Sequence, residues 1–405
     1  MTFTSTATAP AAAVPGIQNW LMLLMATACG LIAANLYYAQ PLIGLIGPAV
    51  GIDSRGASLI VTLTQMGYCA GLVLLVPLAD RLENRRLVIT TLVAASVALA
   101  AEALAPNEPI FLLAALCVGL ASVAVQMLVP MAAHMAPEAS RGRVVGKVVS
   151  GLLAGIMLAR PVSSLIADAW GWRAVFGLSA VLMIVMALVL HNLLPQRRPN
   201  NTQTYASLIR SLWALLRDTP VLRRRAAYQA AAFAAFSLYW TAVPLMLAGP
   251  EFNLSQRGIA WFALAGVAGV FAAPVAGWMA DKGHTRLGTG VALVMIALAF
   301  AGSAIGVSGS LIALLIGGIV IDLGVQANLV LGQRAILTLG EHVRSRLNAL
   351  YLALFFAGGA LGSAVASVAF VHGGWLWVSL IGTGFPVLAL ILFATETHAG
   401  ANAHA

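Results

Sequence analysis

Charge is scarce in this chain. Of 405 residues only 13 are Asp or Glu and 22 are Lys or Arg, so 9% are charged against 61% hydrophobic. With a mean hydropathy of +0.94, that shortage excludes a soluble globular domain, in which about 25% of residues are charged. Cysteine is nearly absent: Cys29, Cys69 and Cys117 lie in apolar runs and suit neither a structural disulfide nor a metal cluster. The opening MTFTSTATAPAAAVPGIQNW has no basic start of the kind a cleaved signal peptide needs, which leaves the first apolar run as an uncleaved span. There is no His-Glu-x-x-His stretch and no Gly-x-Ser-x-Gly elbow. GRVVGKVV, from Gly142, has only three residues between its glycines and Val after Lys147, so it is not a phosphate loop. His134, His191, His284, His342, His372 and His398 fall in loops or at span ends and His404 in the tail. No enzyme, metal site or cofactor is expected.

What is present is a series of apolar runs near the ~20 residues that cross a bilayer. The chain reads as an all-α membrane protein with twelve spans, at about 18–43, 57–79, 87–106, 109–133, 147–168, 173–194, 226–248, 258–280, 287–307, 309–333, 346–370 and 375–394. The net charge of +9 does not imply nucleic acid, because the basic residues form no single patch. They sit after the even-numbered spans: Arg81, Arg85 and Arg86; Arg141, Arg143 and Lys147; Arg197 to Arg225; Lys282 and Arg286; Arg334, Arg344 and Arg346. The alternate loops hold Arg55, Arg173 and Arg257. That bias places the even loops and both termini in the cytoplasm.

The sequence also repeats. LYYAQPLIGLIGPAVGIDSRG from Leu36 matches LYWTAVPLMLAGPEFNLSQRG from Leu238 at an offset of 202. Asp80 then pairs with Asp281, Gln126 with Gln326, Gly155 with Gly358, and Gly171-Trp172 with Gly374-Trp375, at offsets between 200 and 203. The reading is two six-span halves, 1–194 and 226–405, joined by a basic linker at 195–225. Six is even, so the halves enter the membrane in the same direction, as parallel repeats. Within the linker, YASLIRSLWALLRDTPVLRRR reads as an amphipathic helix on the inner leaflet, its arginines meeting anionic lipid.

At these residues the chain resembles the major facilitator superfamily. The family's loop signature after span 2, G-x-x-x-D-R/K-x-G-R-R/K, appears twice in degraded form: VPLADRLENRR, with Asp80, Arg81, Arg85 and Arg86, and GWMADKGHTR, with Gly277, Asp281, Lys282 and Arg286. Val76 replaces the leading Gly of the first copy, and each copy has three residues, not two, between its first two basic positions. NLYYAQPL and GWRAVF are similar to bacterial efflux members of the drug and metabolite:proton antiporter branch. The resemblance implies the major facilitator fold and a gating role for Asp80, Arg81, Arg85, Asp281, Lys282 and Arg286, with Asp80 as a latch on the start of span 11. A carboxylate at a helix N-terminus is favoured by roughly 0.3–1 kcal/mol; the bland alternative is a charged pair that merely ends a helix.

Two family motifs fail informatively. Ala115 stands four residues before Gly119, where many proton antiporters carry Arg. In GLLAGIMLARPVSSL, Pro161 of the span 5 antiporter motif remains, but Arg160 replaces its Gly, and Ser164 and Leu165 replace the paired glycines. Helical rise puts Arg160 just beyond the midplane and Asp322, in LLIGGIVIDLGVQANLVLG, close to it. Either residue costs ~2.5–3.5 kcal/mol at the centre of a span, so each is expected to face a cavity and a partner. Snorkelling of Arg160 to the outer surface is the alternative. Spans 1 and 2 hold no deep acid, so proton coupling is expected at Asp322 with Arg160.

Spans 1, 4, 7 and 10 line the central cavity in the family. On them lie the candidate substrate-binding residues Asn35, Tyr38, Gln126, Tyr239, Trp240, Gln326 and Asn328, beside Tyr37 and Gln40. Asp322 and Gln326 share a helix face, from which Asn328 points away. For Tyr37, Tyr38, Tyr239 and Trp240 an interfacial aromatic belt is the alternative. The GxxxG pairs Gly151/Gly155 and Gly358/Gly362 are expected to pack helices within the bundle, leaving a monomer. The expected function is export of a small organic molecule, a drug, sugar or metabolite, in exchange for protons at the bacterial inner membrane, with proton-coupled uptake as the alternative and a non-transporting membrane receptor or enzyme as a remote one. The expected partners are a small-molecule substrate, protons and membrane lipids, with no nucleic acid.

Overall fold

The computed structural model describes residues 19–199, 203–304, 310–340 and 343–396. Residues 1–18, His342, His398, His404 and the edges of the expected ninth and tenth spans lie outside them. Among the described residues all regular structure is helical and twelve spans are present.

Span 1 is Asn19–Ala34, continued after a turn by Gln40–Val50. Spans 2 to 6 are Leu59–Asp80, Asn84–Leu104, Glu108–Met135, Arg141–Trp170 and Trp172–Leu193. Spans 7 to 10 are Pro220–Ala248, Gln256–Asp281, Thr285–Ser303 and Leu311–Leu337. Spans 11 and 12 share the helical run Arg344–Ala394, which breaks at Gly373 and Gly374. Span 1 runs past the expected end at 43. Its interruption comes at 35–39, and Gly51 (φ 84°) stops it instead. Spans 5 and 7 start earlier than their apolar runs, so Arg141, Arg143, Lys147 and Arg223 to Arg225 lie in first helical turns that extend beyond the apolar stretch.

The repeat has a physical basis in the structure. Gly171 (φ 80°) and Gly374 (φ 60°) each begin the last span of a half in a backbone region open to glycine alone, and the Trp that follows packs inward. Trp172 meets Phe111 and Phe176 edge-on; Trp375 meets Tyr239 and donates its Nε1–H to the Ser303 carbonyl. In the first half Gly151 and Gly155 of span 5 lie against Ala26 and Gly30 of span 1; in the second, Gly358 and Gly362 of span 11 lie against Ala230 and Ala234 of span 7. A Cβ at any of these glycines would collide with the facing backbone, so both GxxxG pairs do pack helices inside the bundle.

The halves meet along spans 2 and 11 and along spans 5 and 8. A buried polar ladder joins the first pair. Gln65 exchanges hydrogen bonds with Ser237 and accepts one from Ser363, Thr62 bonds Ser363, and Ser58 accepts from the Ser367 amide. Beside the second pair, Arg257 and Asp168 form an ion pair at 3.3 Å. Both contacts lie away from the arginine-rich loops, toward what is termed here the opposite face; the face bearing those loops is the basic face. On the basic face the amphipathic helix Tyr205–Asp218 ties the halves together, Tyr205 donating to the Leu74 carbonyl and Ser211 accepting from Arg346. Its Trp213 is exposed.

Candidate functional site

Between the halves lies a cavity of about 800 Å³. Val145, Leu337, Arg344 and Ser345 line it at the basic face, and it ends blindly toward the opposite face among Tyr37, Arg160 and Asp322. Most of its wall is apolar, with Leu152, Ile156, Phe233 and Phe236 among the lining side chains.

The blind end is shaped by breaks in helices. The turn at 35–39 interrupts span 1 beside Tyr37, a 3-10 turn at Ser122–Ala124 interrupts span 4 just before Gln126, and the 3-10 stretch Leu264–Phe271 interrupts span 8 against Asp322. Irregular backbone at membrane depth persists where protein or a cavity covers it. In span 8 the two glycines of this stretch make room for the acid: a Cβ on Gly266 would stand 2.6 Å from Asp322 Oδ2, and one on Gly269 3.1 Å from the Asp322 Cβ.

Asp322 is 5% exposed and accepts a 2.7 Å hydrogen bond from Trp240 Nε1 on Oδ1. Arg160 is 3% exposed and lays its guanidinium over the same indole, 3.9 Å from the ring centroid, with Phe236 at 5.1 Å. Trp240 thus bridges the two charges. Arg160 and Asp322 interact electrostatically but form no direct ion pair; the expected pairing runs through the indole. The snorkelling alternative for Arg160 is not realised, since the guanidinium is buried and faces the cavity.

The structure sorts the candidate substrate-binding residues. Gln126 and Gln326, the repeat mates, both line the cavity, and Trp240 roofs it through Asp322 and Arg160. Four others stand off the wall. Asn35 accepts from Ser179 at 2.6 Å and is turned into span 6. Tyr38 is buried beside the cavity, and its neighbour Tyr37 takes the place on the wall, because one residue of a helical turn rotates a side chain by about 100°. Tyr239 donates to the Leu314 carbonyl and packs edge-on against Phe300 and Trp375, inside its own half. Asn328 donates to Gln229 at 2.7 Å, which follows from its position off the Asp322 face. Sequence reasoning missed Tyr68, which accepts from Gln126 at 3.1 Å and lies against Phe356, and it missed Gly266 and Gly269. A signal for Tyr68 was present: Gln65 and Tyr68 are polar residues three apart in an apolar span.

The gating residues divide similarly. Asp80, half-buried, interacts electrostatically with Arg346 at the start of span 11 and with Arg197. The other contacts stay within one half. Arg85 donates to the carbonyls of His191 and Leu194 at the end of span 6, and its mate Arg286 donates to the Glu396 carbonyl at the end of span 12. Asp281 pairs with Arg334 of span 10, so it does not reach across to the first half. Arg81 and Lys282 are exposed on the basic face. Because the two halves stand apart around the cavity mouth, only the span 2 to span 11 side brings a motif carboxylate to the other half.

The sequence profile described as Major Facilitator Superfamily matches residues 22–287 and again 226–404. The chain is 40% identical over 378 residues to an uncharacterized transporter, YgaY, of Escherichia coli O157:H7, covering 93% of this chain and 96% of that one. It is 33% identical over 371 residues to a probable transporter of Streptomyces coelicolor, covering 90% and 85%. A probable sugar efflux transporter of Haemophilus influenzae matches at 26% over 196 residues, 47% of this chain and 49% of that one. Among solved structures, a bacterial homolog of the lysosomal transporter Spinster, in an inward-facing and unoccupied conformation, superposes with a TM-score of 0.74 at 14% identity, covering 92% and 95%. The nucleoside transporter NupG does so with 0.74 at 15%, covering 92% and 99%. Two parallel six-span halves around a one-ended cavity, a family profile over nearly the whole chain and transporter relatives matched end to end lead to one conclusion: the chain belongs to the Major Facilitator Superfamily and is a multi-pass membrane transporter.

Proposed function

We propose that this protein is a proton-coupled secondary transporter of a small organic molecule, acting as a monomer by alternating access in a bacterial inner membrane. Its basic face and both termini lie in the cytoplasm, as the arginine bias of the even loops favours. The cavity, lined to the basic face and closed at the opposite one, is then an inward-facing state. The observation that carries the reading is Asp322: a carboxylate at the blind end of the cavity, in a span whose other deep residues are apolar or amide. A buried acid that alternately meets each side of the membrane can load and release a proton. Asp80 beside Arg346 serves as a latch whose strength changes as the halves rock, with the remaining loop charges bracing each half.

Export in exchange for protons requires proton and substrate to exclude each other at Asp322. The likeness to efflux members and the sugar efflux relative over 47% of the chain support that direction. One specific observation favours the second reading, uptake together with a proton. Arg160 rests on Trp240 instead of neutralising Asp322 directly, so protonation of Asp322 leaves a buried cation ready for another anion. An uncompensated buried charge costs several kcal/mol.

A screen of organic molecules in sealed vesicles with an imposed pH gradient separates the directions. Asp322→Asn keeps the shape and removes the titration. The expected result is loss of gradient-driven accumulation with retained substrate exchange at zero gradient. Uphill movement at the wild-type proton stoichiometry in Asp322→Asn would sink the assignment of the proton to this residue.

A further inference from the structure

Among the described residues no oxygen accepts a hydrogen bond from the Arg160 guanidinium. Its Nε and Nη1 are buried and make no hydrogen bond among the described residues, and its guanidinium is in contact with the Trp240 and Phe236 rings. Aromatic faces attract a cation but do not accept its in-plane N–H groups. Asp322, the anion in electrostatic reach, has its Oδ1 committed to the indole N–H. Buried guanidinium donors are almost always met by carboxylate, phosphate or carbonyl oxygens, whereas Arg160 lines the blind end of the cavity with two of its donors unmet by the protein. A planar fork of N–H donors fits the paired oxygens of a carboxylate, sulfonate or phosphate.

We infer that the transported molecule is an organic monoanion whose oxyanion head docks on Arg160 and whose apolar body lies along Leu152, Ile156, Phe233 and Phe236. The inference rests on the second of the two readings above, in which the proton and the substrate move together through this cavity. A cation is disfavoured at this end by the fixed guanidinium, and a wholly apolar molecule leaves the guanidinium unmet. The largely hydrocarbon wall, in turn, suits a body without further charge.

The anion also fixes the coupling. Empty, Arg160 and ionised Asp322 sum to zero. With the anion bound and Asp322 protonated, the sum is again zero. The anion beside ionised Asp322 gives −1, and protonated Asp322 without the anion gives +1. Sealing the blind end from water penalises the two charged combinations. The proton on Asp322 and the anion on Arg160 therefore cross together, one for one, and the cycle is electroneutral. The groups around Asp322 leave that balance intact: Arg160 comes from span 5, Tyr37 from span 1, and Tyr239 and Trp240 from span 7. Span 8 presents the backbone of Gly266 and Gly269, and span 9 packs Ile296 and the Ala292 carbonyl on Gly324 of span 10.

Probes of fixed charge test this without leakage of weak acids. Purified full-length protein in nanodiscs is titrated with hexanesulfonate, benzenesulfonate and 1-naphthalenesulfonate. Each is compared with its sulfonamide and its trimethylammonium counterpart, at acidic and at alkaline pH. The expected result is that at least one sulfonate binds about tenfold or more tighter than its neutral and cationic counterparts, and tighter at acidic pH. Arg160→Gln then loses about tenfold or more, Arg160→Lys recovers part of the loss, and Asp322→Asn binds the sulfonate without pH dependence. In proteoliposomes, sulfonate entry carries protons with no net current. Tightest binding by an ammonium probe, or no sulfonate bound better than its sulfonamide, overturns the inference even if a variant fails to fold, because that ranking needs only the wild type. An unchanged sulfonate affinity in Arg160→Gln overturns it as well. Failure of the underlying proton reading is distinct: Asp322→Asn vesicles would still concentrate the sulfonate on a pH step.

Discussion

Asp322 and Trp240 meet because span 8 has no side chain where they need space. At Gly266 an added Cβ would lie 2.6 Å from Asp322 Oδ2 and 3.1 Å from the Trp240 ring. Gly302 of span 9 has open space around the same position. Gly266→Ala is therefore expected to destabilise the folded protein by about 1–3 kcal/mol through overpacking and to displace the carboxylate. Gly302→Ala should be neutral or slightly stabilising, since Ala is a better helix former. Thermal unfolding in detergent, read beside transport, checks both; equal stability in the two variants would mean the acid has slack that the structure does not show. At this scale the sequence was legible in kind. An acid and an arginine at membrane depth pointed to the candidate site, but one residue of rotation separated Tyr38, expected on the wall, from Tyr37, found there.

Span 2 against span 11 and span 5 against span 8 close the opposite face by different means. The ladder of Ser58, Thr62, Gln65, Ser237, Ser363 and Ser367 is buried, and each bond broken there leaves a desolvated partner, worth about 1–3 kcal/mol. The Arg257–Asp168 pair is solvated, with Arg257 69% exposed, and such pairs contribute about 0–1 kcal/mol. Gln65→Leu should thus open the opposite face more often than Asp168→Asn does. A Val243→Cys reporter, buried beneath that face, measures the difference through its labelling by a membrane-impermeant maleimide, with Cys29, Cys69 and Cys117 replaced by Ser. The expected increase is roughly 5- to 150-fold for Gln65→Leu and under about fivefold for Asp168→Asn. The reverse order would make the exposed pair the principal closure. None of the ladder was foreseen, because Ser and Thr within a span read equally well as small packing residues.

The whole molecule is two repeats that differ at the cavity end and at the loop carboxylates. Arg85 and Arg286 brace the ends of spans 6 and 12 alike, and Gly155 and Gly358 pack alike, yet Asp80 reaches the other half through Arg346 while Asp281 turns to Arg334 of its own. Arg160 in the first half and Asp322 in the second have no charged mates across the repeat: an offset of 200 to 203 puts Ala360, Leu361, Gly362 and Ser363 opposite Arg160 and Gly119, Leu120, Ala121 and Ser122 opposite Asp322, so the central site is asymmetric by sequence. The arginine bias orients the assembly as a unit. A fluorescent protein fused after Ala405 is expected to fluoresce, and a phosphatase active only outside the cytoplasm is expected to be silent there. The opposite pair of results would invert the membrane orientation and make the observed cavity outward-facing.

By itself the sequence determined the solvent, the span number, the parallel repeat and the presence of an acid and an arginine at membrane depth. Each of these is a one-dimensional quantity: hydropathy over about 20 residues, a sign bias between loops, an offset near 202, an ion too costly to bury without purpose. Only the tertiary structure decided what those charges touch. That Trp240 holds Asp322 by its N–H and Arg160 by its face depends on residues from spans 5, 7 and 10 meeting where span 8 is reduced to glycine. Neither the rotation of a side chain about its helix nor the choice of partner across the two halves is encoded locally, because both are settled by packing between segments far apart in the chain, 82 residues in the case of Trp240 and Asp322.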